Sequence, residues 1–124
     1  MGALATIKWE GRSGRKYKFW VYKLGTRFKE TPANFILARE TGNLTFAPVY
    51  IGQTDDLSKQ FDNFEEMPEV REGGATHIHA HANSRGELAR LDEETDLLER
   101  WKPAFNTASN TASNNKQEAT PDNG

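Results

Sequence analysis

Three histidines at alternate positions are the first residues in this chain whose types and spacing could do chemistry. The segment 75–82 is typical of a β-strand, and its period of two places His77, His79 and His81 on one face. Imidazoles on one side of a strand can bind a transition metal. The outer two are roughly 13 Å apart along the strand, too far for both to reach one ion easily. We therefore favour a polar sheet face over a metal site.

A second group of chemically capable residues is basic and lies at the start of the chain. The first 30 residues carry eight Lys and Arg against two acidic side chains, and the rest carries eight against sixteen. A basic front on an acidic body suggests a polyanionic partner. The candidates for binding phosphates are Arg12, Arg15, Lys16 and Lys18. Interleaved aromatics at 17–22 can stack on nucleic-acid bases. The same pattern also arises where lysines protect an exposed strand, and both interpretations stay open.

The elements that must position these residues are short strands and two helices. A turn cluster at 11–14 predicts a β-hairpin over 7–22. Apolar runs at 35–38 and 46–52 predict an antiparallel pair of buried strands, to which 75–82 adds a third.

Helices are expected over 54–66 and from residue 83 or 84 to about 101. The later helix has candidate buried residues at Leu88, Leu91, Leu98 and Trp101. We thus expect an α+β fold with a small three-stranded antiparallel sheet flanked by helices, and an N-terminal β-hairpin extension.

The 124 residues are enough for one domain with a modest core. We expect the basic hairpin at 1–31, the main domain at 32–106 and a disordered tail at 107–124, where the chain repeats Asn-Thr-Ala-Ser without apolar periodicity. No run approaches the roughly twenty apolar residues of a membrane span, so no membrane partner is expected. The chain has no cysteine, which excludes disulfides and thiolate metal sites. A cytoplasmic location is expected.

The order of several short motifs resembles the GIY-YIG nuclease domain family. Pro32-Ala33-Asn34-Phe35 is followed by Tyr50-Ile51-Gly52, a helix and a third strand. Glu94 then precedes Pro103-Ala104-Phe105-Asn106 by nine residues. The family includes homing endonucleases, some restriction enzymes and the N-terminal domain of the excinuclease subunit UvrC. The resemblance covers about residues 32–106.

This resemblance implies metal-dependent phosphodiester hydrolysis, with DNA as the partner and Mg²⁺ or another divalent cation as the cofactor. Glu94 would hold the metal, since a hard cation prefers carboxylate and water ligands. Tyr50 would position or activate the attacking water, and Asn106 would have a structural role. Glu93 is the neighbour with which Glu94 is most easily confused.

The chain departs from the family pattern at two positions. Phe35 stands where the first motif has a tyrosine, so one hydroxyl is missing. Gln60 stands where the family's helix carries a phosphate-binding arginine, and a neutral amide cannot make the charge-assisted contact of a guanidinium. The alternative function is therefore a catalytically inactive nucleic-acid or protein-binding module on the same scaffold. The sequence does not indicate an oligomeric state.

Overall fold

The computed structural model describes residues 2–106 as five strands and a few helices. The strands are β1 (Ala5–Glu10), β2 (Lys16–Lys23), β3 (Ala33–Gly42), β4 (Thr45–Thr54) and β5 (His77–Ala82). The helices are α1 (Leu57–Gln60), α2 (Pro68–Arg71) and α3 (Glu87–Trp101), with a 3-10 turn at Phe64–Glu66. The predicted tail at 107–124 lies outside the described residues.

The sheet overturns the expected fold class. It is a single, curled, five-stranded antiparallel sheet in the order β1-β2-β5-β3-β4, not a three-stranded sheet flanked by helices. The hairpin is no extension, because β2 pairs with β5 from Trp20↔Ala80 to Lys23↔His77. The boundary expected after residue 31 therefore falls inside one continuous sheet. Pairing satisfies the open edges of both β2 and β5, which would otherwise expose unpaired backbone groups.

The prediction of one continuous helix over 54–66 was also wrong, because this segment forms several short helical pieces. Asp56 caps α1 by accepting a hydrogen bond from the Ser58 N–H at 2.9 Å. The chain leaves the helix at Phe61 and resumes as the 3-10 turn and α2. Pro68 begins α2 and holds the preceding Met67 in an extended conformation. Leu57 and Phe61 are nevertheless buried together, as their spacing predicts.

The two faces of the sheet carry separate apolar clusters. On one face α3 covers a cluster that contains Phe19, Ile36, Ile51 and Leu97. On the other face α1, α2 and neighbouring loops cover a cluster built on alternate residues of the same strands, which include Phe35, Leu37, Ile78 and Ala80. Each central strand is therefore buried on both faces, which explains the continuous apolar run in β3.

The buried side of α3 agrees with the expectation in its second half, where Leu98 and Trp101 pack against the core, and differs from it in the first half. Leu88 is 78% exposed and Leu91 is 36% exposed, whereas Arg90, Glu93 and Leu97 face the sheet. The first half of α3 packs over polar groups near the end of β5, which hydrogen-bond the buried Arg90 and Glu93. No helix in the part of the chain that the structure describes is long and apolar enough to cross a membrane.

Candidate active site

The Tyr50-Ile51-Gly52 segment lies in β4, the edge strand beside β3. Gly52 pairs with Phe35, and a Cβ on Gly52 would lie 2.7 Å from the Phe35 ring. Glycine is therefore required here, because the aromatic ring occupies the space of a side chain. The ring of Tyr50 lies beside the same phenylalanine, with centroids 6.1 Å apart.

Asn106 ties the end of the described chain to this edge strand. Its Oδ1 accepts a hydrogen bond from the Ile51 N–H at 2.8 Å, and its Nδ2 donates to the Ile51 carbonyl at 2.9 Å. These backbone groups point away from β3 and would otherwise be unpaired at the sheet edge. The structural role expected for Asn106 thus has a physical basis.

We expect Asn106→Ala to lower the free energy of unfolding by about 2–4 kcal/mol, because it leaves two buried backbone groups of Ile51 without partners. Urea unfolding followed by tryptophan fluorescence measures the change. Asn63→Ala is the matched control, since Asn63 is exposed and its side chain caps nothing. Equal stabilities of the two variants would contradict the assigned role.

A buried hydrogen-bond network around Arg90 sets the position of α3 beside β4. Arg90 is buried, and its Nε donates to Oε1 of Gln53 at 2.9 Å, directly after Gly52. Its NH1 group donates to the Asn83 carbonyl at 3.1 Å. Asn34 donates to the Arg90 carbonyl at 2.9 Å and accepts from Asn83 at 3.0 Å. This buried polar network holds the helix turn that carries Glu94 against the sheet.

Glu94 and Tyr50 lie within electrostatic reach of each other. Burial raises the pKa of the Tyr50 hydroxyl, and the carboxylates of Glu94 and Glu69 raise it further. Burial also raises the pKa of Glu94. Within residues 2–106 the Glu94 side chain makes no hydrogen bond or ion pair, so a half-buried carboxylate has no cationic partner.

Glu69 on α2 is a neighbour of Tyr50 that sequence reasoning missed. It lies between the two helices that the sequence predicts, and no motif distinguishes Glu69 from the other acidic residues of the chain. The structure brings its charge near the tyrosine because α2 packs on the same face of the sheet as Phe35.

Glu93 has a different role from its neighbour. Its side chain is buried, and the Nε2 of His81 lies 3.1 Å from Oε1, to which it is hydrogen-bonded, and 2.9 Å from Oε2. The Nδ1 of His81 is 2.9 Å from the Lys18 carbonyl. Burial alone would lower the pKa of His81, but Glu93 outweighs this effect and raises it.

The other two histidines have separate partners. His79 is fully buried, and its Nδ1 accepts a hydrogen bond from the Trp9 indole at 3.0 Å. His77 contacts the Thr76 hydroxyl at 2.8 Å. Among residues 2–106 no group of three or more His, Cys, Asp or Glu side chains is placed to hold a metal ion. Any cation at Glu94 therefore needs substrate and water oxygens to complete its coordination.

The remaining predicted catalytic position is exposed. Gln60 ends α1, and its side chain makes no hydrogen bond to the other described residues. Phe35 is 1% exposed and packs edge-on against Phe61, with ring centroids 5.2 Å apart. Neither position supplies the hydroxyl or the cation that the family pattern has there.

The four basic residues of the hairpin are exposed but divided. Lys16 and Lys18 alternate with the buried residues of β2 and lie on the sheet face opposite α3. Arg12 and Arg15 belong to the turn that Asp96 anchors to α3. The Asp96 carboxylate accepts hydrogen bonds from Ser13 and Tyr17, each at 2.7 Å to Oδ2. The structure thus does not assemble the four cations into one patch.

No family model, no curated protein and no solved structure matches the chain.

Proposed function

We propose that the chain is a metal-dependent DNA endonuclease of the GIY-YIG type that acts at Tyr50 and Glu94. The observation that carries the proposal is the half-buried Glu94 carboxylate, which has no cationic partner among the described residues and whose charge raises the pKa of the Tyr50 hydroxyl. Burial of an uncompensated carboxylate costs free energy that a bound cation can offset.

The residues present fit a hard divalent cation. Mg²⁺ typically binds to one or two carboxylates, several waters and substrate phosphates, and Glu94 would supply such a carboxylate. When bound, the cation would supply stabilisation of negative charge developing on the phosphate and the leaving oxygen. Glu94 would hold the cation, and its own position is fixed one turn after Arg90 by the hydrogen bond to Gln53.

Tyr50 would orient the water that attacks the phosphorus. A phenol is protonated at neutral pH, and the environment of Tyr50 raises its pKa further, so the hydroxyl can donate one hydrogen bond and accept another. The Asn106 clamp on Ile51 fixes the backbone next to this tyrosine. A fixed hydroxyl orients the water with little further loss of entropy.

Plasmid nicking tests the proposal directly. Purified protein should convert supercoiled plasmid to the nicked form in Mg²⁺ and not in EDTA. Absence of nicking in Mg²⁺ and in Mn²⁺, with folding verified by circular dichroism, would overturn the proposal.

A second candidate function is a nucleic-acid-binding module without cleavage. The observation that favours it is the neutral, exposed Gln60 at the position of the phosphate-binding arginine. Such a module would bind DNA in EDTA and in Mg²⁺ alike and release no product in either.

A further inference from the structure

A groove of about 480 Å³ runs along the sheet face opposite α3, between β2, the end of β5 and the loop before β3. Its lining includes Trp20, Tyr22, Arg27, Phe28, Lys29 and Ala82. Tyr22 and Phe28 form one wall through an edge-to-face contact with centroids 5.0 Å apart. The groove lies outside the Tyr50–Glu94 site.

Trp20 is the exposed aromatic side chain of this groove. It is 39% exposed, whereas Trp9 is 2% exposed in the core. Its cross-strand neighbours are Thr6 on β1 and Ala80 on β5, both too small to cover the indole. The Lys18 Nζ lies 5.3 Å from the indole centroid. A partly exposed indole with a cation over its ring combines the two groups with which proteins stack nucleic-acid bases and bind the adjoining phosphates.

The charge of the groove has one sign. Arg27 and Lys29 line it, and Lys18 stands beside Lys8 on the same face. No carboxylate lines this groove in the described part of the chain. The neighbouring pocket, which Phe61 lines, shares Arg27 with the groove but differs from it because Asp62 and Glu65 also line it. The groove is therefore complementary to a polyanion that also presents flat apolar surfaces.

We infer that this groove binds single-stranded nucleic acid, with a base stacked on Trp20 and phosphates on Lys18, Arg27 and Lys29. A single strand is required because the base faces of a duplex are already stacked on each other. The groove and Tyr50 are on the same sheet face, and β2 and β4 are three strand spacings, about 14 Å, apart. The inference does not depend on the proposed function; if both hold, the groove would bind an unpaired strand of the DNA on which that enzyme acts.

Fluorescence anisotropy of a labelled oligothymidylate in EDTA tests the inference without cleavage. Trp20→Ala should weaken binding about 5- to 100-fold, while Trp20→Phe keeps an aromatic face and most of the affinity. Lys18→Gln should reduce the slope of log affinity against log salt by about 0.7. Lys23→Gln is the matched control, since Lys23 is exposed on the opposite face of the same strand, and it should leave binding unchanged.

Several outcomes would overturn the inference. The first is that the protein does not bind the oligothymidylate, and the second is that Trp20→Ala binds it as tightly as the unsubstituted protein does. The third is that duplex DNA binds as tightly as single-stranded DNA. The fourth is that polyglutamate displaces the labelled oligonucleotide as effectively as unlabelled oligonucleotide does. The two proposals fail separately. Oligothymidylate binding without plasmid nicking retains the groove and removes the nuclease, and nicking without such binding does the reverse.

Discussion

Glu94→Gln is expected to reduce Mg²⁺-dependent plasmid nicking by about 10²-fold or more if the chain is the proposed nuclease, because it replaces the carboxylate proposed to hold the cation by a neutral amide of the same shape. The substitution leaves the packing of α3 in place, since Leu97 and Arg90 provide its buried contacts. Initial rates of nicking in saturating Mg²⁺ measure the effect.

Two variants serve as references for Glu94→Gln. Asp92→Asn removes a charge from an exposed position of the same helix and should leave the rate within about twofold. Gln60→Arg should act in the opposite direction and raise the rate by up to about 10²-fold, since it restores a cation for the phosphate. Gln60→Lys should raise it less, because an ammonium lacks the two-pronged contact of a guanidinium. Equal rates for Glu94→Gln and Asp92→Asn would refute the assignment of Glu94.

Protonation of His79 should destabilise the protein at acid pH. The effect is expected between pH 6.5, the ordinary pKa of histidine, and about pH 3, the pKa of His79 in the folded protein. Burial, together with the charge of His77, lowers the pKa of His79 from 6.5 to about 3. The folded state keeps His79 neutral in this range while the unfolded chain binds a proton, so stability falls as the pH falls from 6.5 towards 3. The contribution is at most about 1.4 kcal/mol per pH unit. Urea midpoints measured from pH 7 to pH 4 record the loss.

His79→Asn is the variant that tests this acid limb. An Asn side-chain oxygen can replace the Nδ1 that accepts the Trp9 hydrogen bond, and it does not titrate. The variant should be less stable at pH 7, because a smaller side chain leaves a cavity, but its stability should depend less on pH. His81→Gln should instead change the alkaline limb, since the raised pKa of His81 makes its contribution one that is lost as pH rises. Parallel pH profiles for His79→Asn and the unsubstituted protein would contradict the prediction.

The sequence by itself determined the strands of this protein. Alternation along 16–22 and the glycine-containing turn at 11–14 predict the hairpin, which the structure confirms as β1 and β2. The apolar runs that predict β3 and β4 are paired as expected, with Phe35 opposite Gly52. Such patterns are readable because side-chain direction in a strand alternates with period two, whatever the strand pairs with.

Only the tertiary structure decided how these elements combine. Two hairpins can each extend a sheet at either edge, and the pairing of β2 with β5 joins segments that are far apart in sequence. The break after α1 likewise depends on Phe61 entering the core at the end of a four-residue helix. Propensity within a window does not contain this information, because burial against distant residues outweighs local preference.

The candidate site depends on tertiary structure in the same way. Consecutive residues of a helix point about 100° apart, so the sequence places Glu93 and Glu94 on adjacent flanks of α3 without showing what each one meets. Contact with His81 makes Glu93 part of a buried pair, and the packing of α3 against β4 brings the charge of Glu94 within electrostatic reach of Tyr50. The three histidines show the same limit. Alternation puts them on one face, but the groups above that face make His79 a neutral core residue and His81 a partner of a carboxylate, because burial and neighbouring charge set a pKa.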